Sequence, residues 1–244
     1  METRLLLVDG FNLIRRIYEA RQSSNDLEEI ITACGQSLQR ALREHSPSHA
    51  VVVLDSHDRT WRHLLYPEYK ANRKPTPAPL LENLDRFEKE FAAAGVKSLK
   101  IASYEADDVI ATMARGMGAA GTAIILSTDR LFLQLLGKNV RIFNHFDHAE
   151  ITAADVAERY GVGVDKLTDF HALAGDASNN IKGAPGIGPK TAKKLLDQHG
   201  DLEGALSGEA KLASQVENLR RCKQLVTLKT DVELGVNLRE FRLR

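Results

Sequence analysis

Short apolar runs, most of them closing on an acid, constrain this chain's fold more than any other feature. Leu5-Leu6-Leu7-Val8 ends at Asp9, Ala50 to Leu54 ends at Asp55, and Ala123 to Leu126 ends near Asp129. A weaker run, Val96 to Ala102, precedes Glu105, and Val140 to Phe143 is the last clear one. Apolar runs of this length, bounded by turn residues, read as buried strands. Stretches with helical periodicity lie between them. Asp26 to Leu42 puts Leu27, Ile30, Ile31, Cys34, Leu38 and Leu42 on one face, with Asn25 or Asp26 as cap. Leu80 to Ala94 repeats the pattern with Leu81, Leu84, Phe87 and Phe91. Glu105 to Met117 opens acidic, which suits the positive end of a helix dipole. Strand–helix alternation predicts an α/β fold with a central, mostly parallel sheet and helices on both faces.

From about Asp155 the strand runs stop. Helical patterns continue, broken by turns at Gly161, Gly175, Gly183 to Gly188, Gly200 and Gly208. The pattern predicts a first domain over 1–160 and a helical region over 161–244, with the tail 231–244 packing back on the first. The longest apolar run, Ala50 to Leu54, is too short to cross a bilayer. The N-terminus lacks the apolar core of a signal peptide. Two cysteines, Cys34 and Cys222, are too few for a disulfide framework and fit a reducing cytoplasm. Lys plus Arg is 33 and Asp plus Glu is 33. That balance argues against a nucleic-acid partner unless the charges are segregated along the chain.

They are segregated. In an open α/β sheet, ligands gather outside the carboxyl ends of the strands. Asp9, Asp55 and Asp129 are expected there, joined by Glu105, Asp107 and Asp108 at the start of the helix after the third strand. Asp107 and Asp108 are adjacent, so their side chains diverge on the helix surface. Carboxylates crowded together repel unless cations neutralise them. Oxygen donors without His or Cys suit Mg²⁺ or Mn²⁺, ions that work on phosphates. A single Asp after a strand is commonly a cap; its recurrence at one strand end after another points to a metal site. His57, His63, His145 and His148 show no metal-motif spacing and are expected at the surface or in loops.

The basic residues form two strips. Gly186-Ile187-Gly188-Pro189-Lys190-Thr191-Ala192 sits between two helical patterns, with Lys193 and Lys194 following. Gly-x-Gly permits a tight turn, Pro189 suits the first helical turn, and free N–H groups at that helix end bind anions. The motif fits a helix–hairpin–helix that grips a nucleic-acid backbone without reading bases. The other strip, Arg59 to Lys74, interleaves Trp61, Tyr66 and Tyr69 with Arg62, Lys70 and Arg73. Basic groups among aromatics suit single-stranded backbone and stacked bases.

These pieces together resemble the 5′-nuclease family, which includes the 5′→3′ exonuclease domain of bacterial DNA polymerase I and the flap endonucleases. The resemblance covers nearly the whole chain. It runs through Leu-Val-Asp9-Gly, Leu54-Asp55, Tyr69-Lys70-Ala-Asn-Arg73, Tyr104-Glu105-Ala-Asp107-Asp108, Ser127-Thr128-Asp129, Gly175-Asp176-x-Ser178 and Gly186 to Ala192. It implies a PIN-like domain with a basic arch at about 57–80, and a helix–hairpin–helix (H2TH-type) region. The expected activity is hydrolysis of branched, 5′-flap DNA by a monomer.

By position, the resemblance makes Asp9, Asp55, Glu105, Asp107, Asp108, Asp129 and Asp176 ligands of Mg²⁺ or Mn²⁺. Lys70 and Arg73 fall beside the scissile phosphate, Tyr69 stacks on a base, and Gly186 to Thr191, with Lys193 and Lys194, hold duplex backbone. The carbonyls of Leu173, Ala174, Lys182, Ala184 and Ile187 match a family site for K⁺. Two departures stand out. Leu131 and Asn179 occupy positions where the family carries Asp, so one divalent ion is expected to be held tightly and a second weakly or with substrate. Two rivals follow: a non-catalytic, structure-specific DNA-binding protein, and a PIN-like ribonuclease that does without the hairpin. An α/β phosphatase would want a second Asp two residues after Asp9, where Phe11 stands.

Overall fold

The structure, a computed structural model, describes residues 3–21, 26–56 and 58–243. The first strand, β1 (Thr3–Asp9), leads directly into α1 (Gly10–Ala20). Then come α2 (Leu27–His45), β2 (His49–Val53), the short α3 (Trp61–Leu65) and α4 (Ala78–Glu82), α5 (Leu84–Ala93), β3 (Lys97–Leu99) and α6 (Ala106–Gly116). The sheet is completed by β4 (Gly121–Leu126), β5 (Val140–Asn144) and β6 (Ala149–Ile151). The rest is helical: α7 (Ala153–Tyr160), α8 (Leu167–Ala174), α9 (Pro189–His199), α10 (Leu202–Gly208) and α11 (Val216–Val226).

The six strands lie in the order β3-β2-β1-β4-β5-β6. The first five run parallel and β6 pairs antiparallel with β5. The order reverses between β1 and β4, which opens a crevice outside their carboxyl ends. Side chains alternate across the pleat. Leu5, Leu7, Val51, Val53, Ala123 and Ile125 share one core with α6 and with residues of α8, α9, α10 and α11. Leu6, Val8, Val52, Ile124 and Leu126 share the other with Ile14, Leu38, Phe87 and Phe91 from α1, α2 and α5. Burial on both faces is why these strands read as continuous apolar runs.

Differences from expectation are local. Asp26 caps α2, accepting from the Glu28 N–H at 2.8 Å, and the helix runs on to His45. Asn25 lies outside the described residues, as does His57. The 80–94 helix divides at Asn83 into α4 and α5. Strand β3 is only Lys97–Leu99, and β6, with Ala149 and Glu150 both exposed, carries no apolar run to signal it. His145 lies in the turn between β5 and β6, as expected, but is buried there rather than at the surface, with Nε2 2.6 Å from Ser37 Oγ. After α11 the chain returns along the sheet region, where Leu243 N–H donates to Ser48 O at 3.0 Å. None of the described helices is long and apolar enough to cross a membrane.

Candidate active site

Asp9 ends β1 and caps α1, so the strand fixes its backbone and the helix N-terminus meets its carboxylate. Asn12 N–H donates to Asp9 Oδ1 at 3.1 Å and Ser127 Oγ–H to Oδ2 at 2.7 Å. Ser127 Oγ in turn accepts from Asp129 N–H at 3.0 Å, which ties the end of β4 to the end of β1. Asn12 also pairs with Thr128 through side chain and backbone. Asp55, after β2, accepts from Ala106 N–H at 2.8 Å and so steers the start of α6. A cleft of about 940 Å³ is lined by Asp9, Asp55, Glu105, Asp107 and Asp129 together with Arg15, Arg16, Arg59, Lys70, Arg73 and Lys74. Five of the expected acids thus meet in one place.

Their electrostatics are unfavourable as they stand. Burial pushes the Asp9 carboxyl up to about 7, aided by the charges of Asp55 and Asp129 and opposed by Ser127. Burial, with Asp129, Asp9 and Glu105 nearby, holds Asp107 well above the carboxylate range. Glu105 goes the other way. Burial would raise it, but Lys70 and Arg62 keep it below its ordinary value. Lys70 Nζ contacts Glu105 Oε1 at 2.5 Å, while Arg62 Nη1 (2.9 Å) and Tyr69 OH (3.1 Å) donate to Oε2.

A divalent ion fits this arrangement in charge and donor type. The donors are hard oxygens; the charge of Asp9 is supported by hydrogen bonds from Ser127 and Asn12, and at Asp107 Lys70 only partly offsets burial and the neighbouring acids. Among the described residues, no three His, Cys, Asp or Glu side chains already stand close enough to form a coordination shell. Mg²⁺ keeps several of its waters and takes only one or two carboxylates directly, which suits acids spread around a cleft.

Two expected site residues are placed elsewhere. Asp108 is wholly buried and absent from the cleft. Its Oδ1 accepts from Arg62 Nη2 and Lys229 N–H, and its Oδ2 from Arg62 Nη1 and Trp61 Nε1, so it has no free lone pair directed at the other acids. Side chains one residue apart diverge on a helix; Asp107 took the cleft and Asp108 the interior. Tyr69 is also corrected. It is 2% exposed, so its ring cannot stack on a base as placed. The aromatics of this strip pack inward, Trp61 under Arg62 and Tyr66 under Arg221.

Asp176 lies in an adjoining pocket of about 930 Å³, which shares Asn12, Arg73, Asp129 and Ser178 with the cleft and continues to Arg130, Arg159, Lys190 and Lys193. Its carboxylate accepts from Ser178 N–H, Ser178 Oγ and Asn179 Nδ2. Asn179 Oδ1 takes Arg73 Nη2 at 2.8 Å, and Arg73 Nε reaches Ser178 O at 3.1 Å. Buried Leu131 lines the same pocket, and its N–H is capped by Asp129 Oδ1 at 2.8 Å.

In the hairpin, Gly186 holds φ +74°, a left-handed conformation that suits glycine. Gly188 caps α9, and Pro189 occupies its first turn with no acid there. Lys190 and Lys194 are exposed and Thr191 is half-buried; Lys193 pairs with Asp197. The turn from Leu173 to Ile187 folds tightly: Leu173 O accepts from Ala184 N–H at 2.9 Å and Ala184 O from Ile187 N–H at 3.0 Å. Lys182 O accepts from Cys222 Sγ, and Ala174 carries the chain into Gly175.

Arg15 and Arg16 on α1 line the cleft although no motif above contains them, and Arg59, the first residue of the basic strip, joins them before α3. The available signal was the apolar face Leu13, Ile14, Ile17, which leaves positions 15 and 16 turned outward near Asp9.

Comparison with known proteins places the chain in a family. Residues 4–161 match the family described as 5′-3′ exonuclease, N-terminal resolvase-like domain, and residues 162–244 match 5′-3′ exonuclease, C-terminal SAM fold. A protein named flap endonuclease Xni from Vibrio campbellii is 37% identical, covering 99% of this chain and 97% of its own length. The protein of that name from Psychromonas ingrahamii is 38% identical, covering 99% and 98%. Among solved structures, bacteriophage T5 D15 protein co-crystallised with metal ions superposes with a TM-score of 0.78 at 24% identity, covering 93% of this chain and 90% of that one. The chain belongs to the 5′-3′ exonuclease family.

Proposed function

We propose that this protein is a divalent-metal-dependent, structure-specific 5′-nuclease that hydrolyses phosphodiester bonds in branched DNA with a free 5′ end. The observation that carries the reading is the meeting of Asp9, Asp55, Glu105, Asp107 and Asp129 with Lys70 and Arg73 in one cleft. The relatives named flap endonucleases support it, as does the T5 D15 flap endonuclease solved as a complex with DNA and metal ions. A divalent ion, Mg²⁺ or Mn²⁺, would be held by Asp9, Asp107 and their neighbours, and when bound it supplies Lewis acidity to a phosphate and makes water a stronger nucleophile. Lys70 and Arg73 then offer fixed donors to the phosphate oxygens. A second ion would bind weakly near Asp129 and Asp176, because Leu131 and Asn179 supply no carboxylate there.

The α9 N-terminus with Lys190, Thr191 and Lys194 would take duplex backbone, and K⁺ would sit on the carbonyls of Leu173, Ala174, Lys182, Ala184 and Ile187. We read 1–160 as the cleaving region and 161–244 as the duplex-holding region of a cytoplasmic monomer. A substrate panel tests this: 5′-flap duplex, blunt duplex and single-stranded RNA of matched sequence, each with Mg²⁺. Preference for the flap is expected; preference for the RNA would favour a ribonuclease. Leu131 and Asn179 favour one alternative, a flap-binding protein that does not cleave. It is identified by flap affinity with no metal-dependent product.

A further inference from the structure

Arg62 belongs to the strip expected to face nucleic acid, yet it is 0% exposed. A guanidinium has five N–H donors, and here each has a partner. Nε donates to Leu225 O at 2.9 Å, Nη1 to Glu105 Oε2 at 2.9 Å and Asp108 Oδ2 at 2.7 Å, and Nη2 to Asp108 Oδ1 at 2.8 Å and Thr227 O at 3.2 Å. One planar fork therefore joins α3, the start of α6 and the end of α11. Tyr69 OH reaches the same Glu105 oxygen.

We propose that Arg62 and Tyr69 are positioning residues for cleavage: together they fix Glu105 Oε2, so that Oε1 holds the Lys70 ammonium at its place in the cleft. The inference rests on the nuclease reading above. Glu105 with Lys70 alone would be a mobile pair, since both side chains could swing together. Two donors on the opposite oxygen remove that freedom, and neither donor can drift. Arg62 is anchored on the backbone carbonyls of Leu225 and Thr227, and Tyr69 is buried beside it with the guanidinium 6.0 Å from its ring. Lys70 is fixed from its own side as well. Its φ is +56°, and its N–H donates to Asn179 O at 3.0 Å. The position of the cleft's central cation is thus set by the packing of the helical region, through Leu225, Thr227 and Asn179. A lysine at 62 would keep the charge but lose the planar fork.

A purely structural role for the same hub makes a different prediction. Gln134 supplies the control. It holds the same segment, donating to Val226 O at 3.0 Å and to Leu131 O at 2.7 Å and accepting from Leu228 N–H at 3.0 Å, and among the described residues it makes no hydrogen bond to Glu105. The experiment measures kcat, KM and Tm for full-length wild type, Arg62→Lys, Tyr69→Phe and Gln134→Ala on a 5′-flap duplex in Mg²⁺, and flap affinity in EDTA. Expected is a fall in kcat of roughly 10- to 100-fold for Arg62→Lys and about tenfold for Tyr69→Phe. KM is expected to stay within about twofold, with affinity in EDTA unchanged. Gln134→Ala lowers Tm and keeps its kcat. If Arg62→Lys does not fold, the near-isosteric Tyr69→Phe decides alone. Wild-type kcat in Tyr69→Phe, or an equal loss of kcat in Gln134→Ala, overturns the proposal. If wild type itself cleaves no more than Asp107→Ala, the nuclease reading fails first and this proposal with it.

Discussion

Asp107 shows what the candidate site costs the fold. It is 8% exposed, and its charge is opposed by burial and by Asp129, Asp9 and Glu105. Asn at this position keeps the shape and removes the repulsion. Asp107→Asn is therefore expected to stabilise the metal-free protein by about 1 kcal/mol, a rise in Tm of roughly 2–4 °C, while abolishing cleavage. Differential scanning calorimetry in EDTA measures this, and added Mg²⁺ should then raise the wild-type Tm but not the variant's. A lower Tm for the variant in EDTA would show that the carboxylate contributes to the fold. At this scale the sequence was legible where chain position decides neighbourhood: acids that close successive parallel strands lie together at the carboxyl edge of the sheet. It was illegible at Asp108 and Tyr69. Which of two neighbouring acids turns inward depends on where the Arg62 fork sits, and nothing in the local pattern of a basic strip marks its arginine as buried.

Two elements carry separable consequences. The hairpin before α9 presents the exposed Lys190 and Lys194, which have no acidic partner among the described residues, whereas Lys193 is paired with Asp197. Lys190→Gln with Lys194→Gln should weaken flap-DNA binding and make the slope of log K against log[salt] shallower by about 1–2. Binding measured across a salt series checks it, and an unchanged slope would remove the hairpin from the DNA path. On the far side of the sheet, the turn between β5 and β6 seats His145 against α2. Burial, with Arg40, His148 and His45 adding to it and Glu44 opposing, lowers its imidazole to about 4. Its ordinary value is 6.5, so the folded state prefers neutral His145. Its contribution is complete above about pH 6.5 and is lost as pH falls towards 4, by up to about 3 kcal/mol. Urea unfolding at several pH values, with His145→Gln as comparison, should show a flatter profile for the variant. The strands and long helices were legible because burial on both faces writes continuous apolar runs. β6 and the break at Asn83 were not, because a short edge strand and a helix interruption depend on tertiary pairing rather than on periodicity.

Over the whole molecule, one apolar cluster runs from Leu5 and Ile125 in the sheet to Leu195, Leu219 and Cys222 in the last helices. Continuity of that core implies one cooperative unfolding transition. Trp61, the single tryptophan, reports on the junction, because its Nε1 donates to Asp108 at 2.8 Å and its ring lies under Arg62 and Lys229. Its fluorescence and the far-UV circular dichroism should therefore melt together in urea; separated midpoints would mean the two regions unfold independently. The balance of 33 basic and 33 acidic residues acquires a meaning at this scale. Acids line the carboxyl ends of the strands, and cations line the cleft and the pocket that adjoins it. The central claim is that this cleft cleaves DNA with a divalent ion held by its acids. Its most direct test is single-turnover cleavage of a labelled 5′-flap duplex, with enzyme in excess, across a Mg²⁺ titration for wild type and Asp107→Ala. The account requires metal-dependent product from wild type and a loss of at least about 100-fold in the variant. Equal rates for the two proteins at every Mg²⁺ concentration would contradict it.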